Sequence, residues 1–182
     1  MPGLSSVVGS FVLAGALLLL VATWQRVATG SSLRRVVTGH GLLPRRVAGL
    51  VVVAEAVEPI AGLALVAGWL AGRGVLLSVA SGIVAAWFAG LVGYLWVLMR
   101  KRGPVPCGCL DDTSPVSAAK IGRAAMIAAA GTVVASGLAV PAAEPLLRAV
   151  DLALGAFVAV AMVVTDRVFD VSGTSGGEAR YE

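Results

Sequence analysis

Charge, thiols and imidazoles are all scarce in this chain. Of its 182 residues only 13% are charged, two are cysteine and one is histidine. Polar intervals reach about twenty residues at most, too short to close a core of their own, so no separate soluble domain is expected. His40 and the two cysteines fall short of the four ligands of a structural zinc, and a metal site would need donors from a second chain. There is no phosphate loop, no nucleophile–base triad and no dinucleotide fingerprint, which argues against hydrolase, kinase and classical dehydrogenase chemistry. Lysine is scarce too: twelve of the fourteen basic residues are arginine. They cluster beside apolar runs, so the pI near 9.7 reads as a set of membrane-topology signals rather than a nucleic-acid surface.

What remains is apolar. Hydrophobic residues make up 58% of the chain and mean hydropathy is +0.94, values foreign to soluble domains. The expected fold is an all-α integral membrane protein, a bundle of four to five transmembrane helices, forming a single domain over residues 1–170 with a disordered tail at 171–182. Expected spans are 7–24, 47–70, 75–99, 116–140 and 146–165. The stretch before the first span lacks Lys and Arg, so it reads as a retained helix rather than a secretory signal. The Arg-rich interval after it has room for one short amphipathic turn on the membrane surface. Ala71-Gly-Arg73-Gly74 predicts a tight turn between antiparallel spans. In the third span, Ser78, Gly82, Ala86, Ala89, Gly90 and Gly93 would permit close helix packing. Ser114-Pro115 predicts the start of the fourth, with Lys120 and Arg123 reaching to the interface, and Arg148 with Asp151 reads as a local ion pair opening the fifth.

Five spans place the termini on opposite sides. The Arg-rich first connection and the Arg100-Lys-Arg102 connection fall on one side either way, because a hairpin separates them. The positive-inside rule makes that side cytoplasmic, in the cell membrane, with the N-terminus outside and the C-terminus inside.

Chemistry is confined to a few positions. Glu55 and Glu58 stand at i and i+3 in the second span, followed at once by Pro59, which removes the donor that the Glu55 carbonyl would use. A carboxylate at that depth must face the bundle interior, be protonated or find a cation, and Arg123 or neighbouring hydroxyls are the candidate partners. One reading is a structural pair; the other is proton handling or ligand contact. The aromatic residues Trp87, Phe88, Tyr94 and Trp96 read as packing and interface anchors, with a quinone lining as the alternative. Cys107 and Cys109 flank Gly108 in the polar connection 104–115. A C-x-C disulfide closes a small strained ring that glycine makes feasible, and a strained bond exchanges readily. The competing reading is two reduced thiols without chemistry.

Three of these elements together resemble the MauE family of methylamine-utilisation membrane proteins, itself related to the DoxX-like membrane proteins. They are Gly41-Leu-Leu-Pro44 after the first helix, Glu58-Pro-Ile-Ala-Gly62-Leu-Ala-Leu65 in the second, and Cys107-Gly-Cys109 before a helix bearing Arg123. The resemblance implies a membrane component that supports disulfide formation or transport in a client protein, working with a thioredoxin-like partner. Cys107 and Cys109 match the family's C-G-C, Glu58 and Gly62 its helix motif, and Arg123 is a looser match. Leu110-Asp111-Asp112 departs from the aromatic or small-residue run that usually follows. The expected function is thus a thiol-disulfide relay or maturation factor, with catalytic Cys107 and Cys109 supported by Glu55, Glu58 and Arg123, no metal, and a quinone as the one electron acceptor considered. Its partners would be the lipid bilayer and a thioredoxin-like protein or disulfide-containing client, not nucleic acid. The alternative is a non-enzymatic scaffold or small-solute carrier with an intramembrane carboxylate site.

Overall fold

The structure, a computed structural model, describes residues 2–30, 32–42, 44–103, 105, 115–139 and 144–174, with the backbone alone at 2–4, 45–50, 54 and 166–174. Six helices follow one another: α1 (Pro2–Thr29), α2 (Leu33–His40), α3 (Arg45–Ala71), α4 (Gly74–Arg102), α5 (Ala118–Ala135) and α6 (Pro145–Thr174). No strand forms among the described residues. Five helices are long and apolar enough to cross a membrane, over Ser5–Thr29, Val51–Ala71, Gly74–Arg102, Ala118–Ala135 and Pro145–Thr165. Helix is the form such segments must take, because hydrocarbon offers nothing to a backbone amide or carbonyl.

The helices overrun the expected spans. α1 passes Trp24 and Arg26 to end at Thr29, and α4 ends only at Arg102. At 28 and 29 residues they are about 42 Å long, beyond the roughly 30 Å hydrocarbon core, so their polar ends stand in the headgroup region. α6 runs to Thr174, into the stretch expected as tail, while 175–182 lie outside the described residues. α5 starts at Ala118 rather than at the expected Ser114-Pro115. The Val116 amide is already committed to the Val105 carbonyl at 2.9 Å, and Ser117 provides the cap by accepting from the Lys120 amide. Ser114 lies outside the described residues.

α1 is the central helix, touching α3, α4, α5 and α6. Its span is 56% buried, against 17% for α6, which rests on the outside of the bundle. The core is built from Leu13, Leu65, Trp69, Val84 and Ile127, all essentially inaccessible. Small residues set the spacing. At Gly131 a Cβ would stand 3.1 Å from the Ser81 carbonyl oxygen of α4, and at Gly155 one would stand 2.7 Å from the Leu13 Cβ of α1. Of the expected small-residue stripe on α4, only the first part is used. Ser78 donates to the Ala135 carbonyl and Gly82 faces the Ala135 Cβ, whereas nothing approaches Gly90 or Gly93. The helix turns its stripe away from α5 past Phe88, leaving those glycines on the outer face.

The α3–α4 hairpin turns at Gly72, whose φ of 64° is the left-handed conformation that ends a helix. The Arg148 guanidinium of α6 lies against this glycine and donates to the Leu70 carbonyl at 2.9 Å, a cation on the negative end of α3. Asp151 is buried and accepts from the Ser6 hydroxyl of α1. Arg148 and Asp151 thus each find a partner on another helix.

At the opposite end of the hairpin, the two long connections meet. α2 exposes Arg34 and Arg35 and buries Val37, the amphipathic turn expected in the first interval. Its last residue, His40, bonds the Tyr94 hydroxyl of α4. Leu42 packs beside Leu95, Leu98, Val116 and Ile121, joining the α1–α3 connection to the α4–α5 connection in a second small core.

Candidate functional site

The site lies just beneath that junction, where the ends of α1, α4 and α5 face α3. Its centre is an ion pair between Arg26 of α1 and Glu58 of α3, with side chains 13% and 3% exposed. Gly62 positions it. One turn beyond Glu58 on the same face of α3, a Cβ at Gly62 would stand 3.1 Å from the Ala16 carbonyl oxygen, so only glycine lets the two backbones come this close. α3 continues through Pro59 without interruption. Arg26 belongs to the inward stripe of α1, following Leu18, Leu19 and Ala22 at helical spacing, all buried.

The expected partner of Glu58 was Arg123, and the structure corrects this. Arg123 Nη1 donates instead to the Met162 carbonyl of α6 at 3.1 Å. Nor do the two glutamates act as a pair. Glu55 accepts from the Leu33 amide at the start of α2. Because Ser32 makes no side-chain cap there, the Glu55 carboxylate supplies the negative charge that a helix N-terminus favours. Glu55 therefore ties α2 to α3, and Glu58 ties α3 to α1.

Lys120 departs from its expected place at the interface. It is 6% exposed, on the inward face of α5 with Ala124 and Ile127, and its Nζ donates to the Pro115 carbonyl at 2.9 Å. Together with the Val116–Val105 hydrogen bond, this ammonium fixes the base of the connection that carries the cysteines. Cys107 and Cys109 themselves lie outside the described residues, as do Asp111 and Asp112. What is described is the frame on which they are mounted.

Between these groups is a cavity of about 80 Å³. Arg26, Glu58, Lys120 and Arg123 line its polar part, and Trp87, Phe88 and Leu91 of α4 line its apolar part. Of the expected aromatic set, Trp87 and Phe88 face inward here. Trp96 is exposed with the Arg100 guanidinium 4.7 Å from its ring centroid, and Tyr94 holds His40. Arg26 also borders a shallow cleft with Thr23 and Glu55, so this one side chain reaches both the cavity and the cleft. Sequence reasoning missed Arg26 and Lys120 as site residues because each stands near a span end, where a basic residue signals topology. The signal that would have found them is their register with the buried positions of α1 and α5.

A family model described as methylamine utilisation protein MauE matches residues 4–137, which takes in α1 to α5 and the cysteine-bearing connection. No curated protein and no solved structure matches the chain.

Proposed function

Given that this multi-pass membrane protein belongs to the MauE family, we propose that it is a thiol-disulfide relay in which Cys107 and Cys109 exchange with a thioredoxin-like partner or a disulfide-containing client. The observation that carries the reading is the clasp at the base of the connection that contains the cysteines. Val105 and Val116 are hydrogen-bonded, and the buried Lys120 ammonium holds the Pro115 carbonyl. Both ends of the connection are thereby held over an internal cavity. A connection with fixed ends suits exchange with a partner, because its two thiols cannot stray far from the bundle.

In this reading a client thiolate attacks the Cys107–Cys109 disulfide to give a mixed disulfide, and a second client thiolate resolves it, so the client leaves with its disulfide formed and Cys107 and Cys109 are left as the dithiol. The flanking Arg100, Lys101 and Arg102 favour the thiolate form, and Asp111 and Asp112 oppose it. The positive-inside rule assigns this connection to the cytoplasm of a cell with the protein in its plasma membrane.

The test is a thiol-trapping assay on intact membranes, using a mass-adding alkylator before and after mild reduction. The relay predicts an oxidised fraction that shifts with the redox state of a co-expressed thioredoxin-like partner, and loss of client disulfides when both cysteines become serine. Thiols that stay reduced throughout, with client disulfides intact in the double-serine variant, sink the proposal.

One observation favours a second reading. A buried Arg26–Glu58 pair in a cavity wall is also what a small-solute carrier would place in its path. That reading predicts that Glu58→Gln abolishes function while Cys107→Ser does not.

A further inference from the structure

The cavity has a chemistry of its own, independent of where the cysteines stand. Arg26, Lys120 and Arg123 are hydrogen-bond donors without acceptor capacity, and the one carboxylate in the lining, Glu58, is engaged by Arg26. The polar end of a ligand lodged here must therefore present acceptor oxygens. Its body must be apolar, since Trp87, Phe88 and Leu91 line the rest of the cavity, and an aromatic lining favours a ring. On the measure by which one water needs roughly 10–15 Å³, a cavity of about 80 Å³ has room for a single substituted ring and not for a large fused body. The cavity lies within helices that cross the bilayer, so the ligand is one that partitions into lipid.

We infer that this cavity binds the head group of a membrane quinone, with its carbonyl oxygens toward Lys120 and Arg123 and its ring against Trp87 and Phe88. The redox part of this inference rests on the relay reading above. Regeneration of a Cys107–Cys109 disulfide removes two electrons and two protons from the dithiol, and a quinone takes up both pairs as its two carbonyl oxygens become hydroxyls. The dithiol is oxidised, the quinone is reduced to the hydroquinone, and no further co-reactant is needed.

Binding and electron transfer are tested separately. The full-length chain carrying Cys107→Ser and Cys109→Ser is placed in phosphatidylcholine–phosphatidylglycerol nanodiscs free of quinone. It is then titrated with a short-chain benzoquinone and, in parallel, a short-chain naphthoquinone, with tryptophan fluorescence as the readout. Saturable quenching by at least one of them is expected, weakened tenfold or more by Leu91→Trp, which fills the apolar part of the cavity while leaving every charged residue in place. Absence of saturable binding overturns the inference, as does binding that Leu91→Trp leaves unchanged. Benzoate is the control for the same acceptor-oxygen chemistry in a small anion; saturable benzoate binding that Leu91→Trp abolishes, without quinone binding, also overturns it.

A second arm uses the native cysteines, pre-reduced, and follows hydroquinone formation. Quinone bound but not reduced by the dithiol removes the relay and leaves the site standing. Disulfide formation that proceeds equally in the Leu91→Trp variant leaves the relay standing and overturns the cavity as the acceptor site.

Discussion

Removing Arg26 tests whether the carboxylate at position 58 is held in the membrane by its partner. In Arg26→Met the Glu58 side chain, 3% exposed, loses the cation it is paired with. Breaking one side of a buried pair costs about 3–5 kcal/mol, against roughly 0–1 kcal/mol for a solvent-exposed pair. The geometry makes the two single losses unequal. Arg26 is 13% exposed and also borders the outer cleft with Glu55, so an Arg26 stranded by Glu58→Leu can turn to water and a second carboxylate. A stranded Glu58 regains a cation only by drawing Lys120 or Arg123 across the cavity from the carbonyls they already hold. Replacing both partners leaves no stranded charge, and such swaps are often close to neutral. The expected order of destabilisation is thus Arg26→Met above Glu58→Leu above the double variant. Unfolding in mixed micelles of increasing denaturing-detergent fraction, followed by circular dichroism, measures all three. A loss of about 1 kcal/mol or less for Arg26→Met, in the range of exposed pairs, refutes the reasoning. So does a double variant whose loss equals the sum of the singles, because uncoupled residues add.

Lys120→Met should loosen the base of the cysteine connection, so that alkylation of Cys107 and Cys109 in membranes quickens while the helical circular dichroism is kept; an unchanged alkylation rate counts against the clasp. Gly155→Ala puts a methyl 2.7 Å from the Leu13 Cβ and forces α6 off α1, an overpacking cost of about 1–3 kcal/mol seen as easier proteolysis of α6, whereas Gly90→Ala, with nothing near it, should be silent. In a background of Cys107→Ser and Cys109→Ser, Arg34→Cys should resist an impermeant label added to intact cells and Arg73→Cys should accept it; the reverse pattern inverts the orientation.

The spans were legible because each is a long apolar run with charges at its ends, a signal that depends only on neighbours in sequence. Their ends were less so. Arg26 looked like the close of the first span, yet α1 runs one further turn, because the guanidinium turns inward to Glu58 instead of marking the boundary. Which cation meets Glu58 depends on how α1 and α3 cross, and that is fixed by the close approach at Gly62. A glycine in an apolar run looks the same whether it faces a backbone, as Gly62 does, or the outer face, as Gly90 does. Glu55 was expected to share the fate of Glu58 because i and i+3 lie on one face. That expectation left out α2, whose uncapped amide takes up Glu55 from the side. The start of α5 was misplaced for a related reason. Ser114-Pro115 has the right local chemistry, but the Val105–Val116 contact from the far side of the connection outweighs it.

The contact between Gly155 and Leu13 joins α6 to α1, far apart in the order of synthesis. Roughly 140 residues separate them, which at about 5–20 residues per second puts on the order of ten seconds between the emergence of one and the arrival of the other. During that interval the α1 side that carries Ser6 has no Asp151 to bind, and the Leu70 carbonyl waits for Arg148. α6 in turn brings both of those charges toward the membrane, and each meets a group on a helix already there. Docking of α6 thus completes contacts that the stretch covered by the family match leaves open.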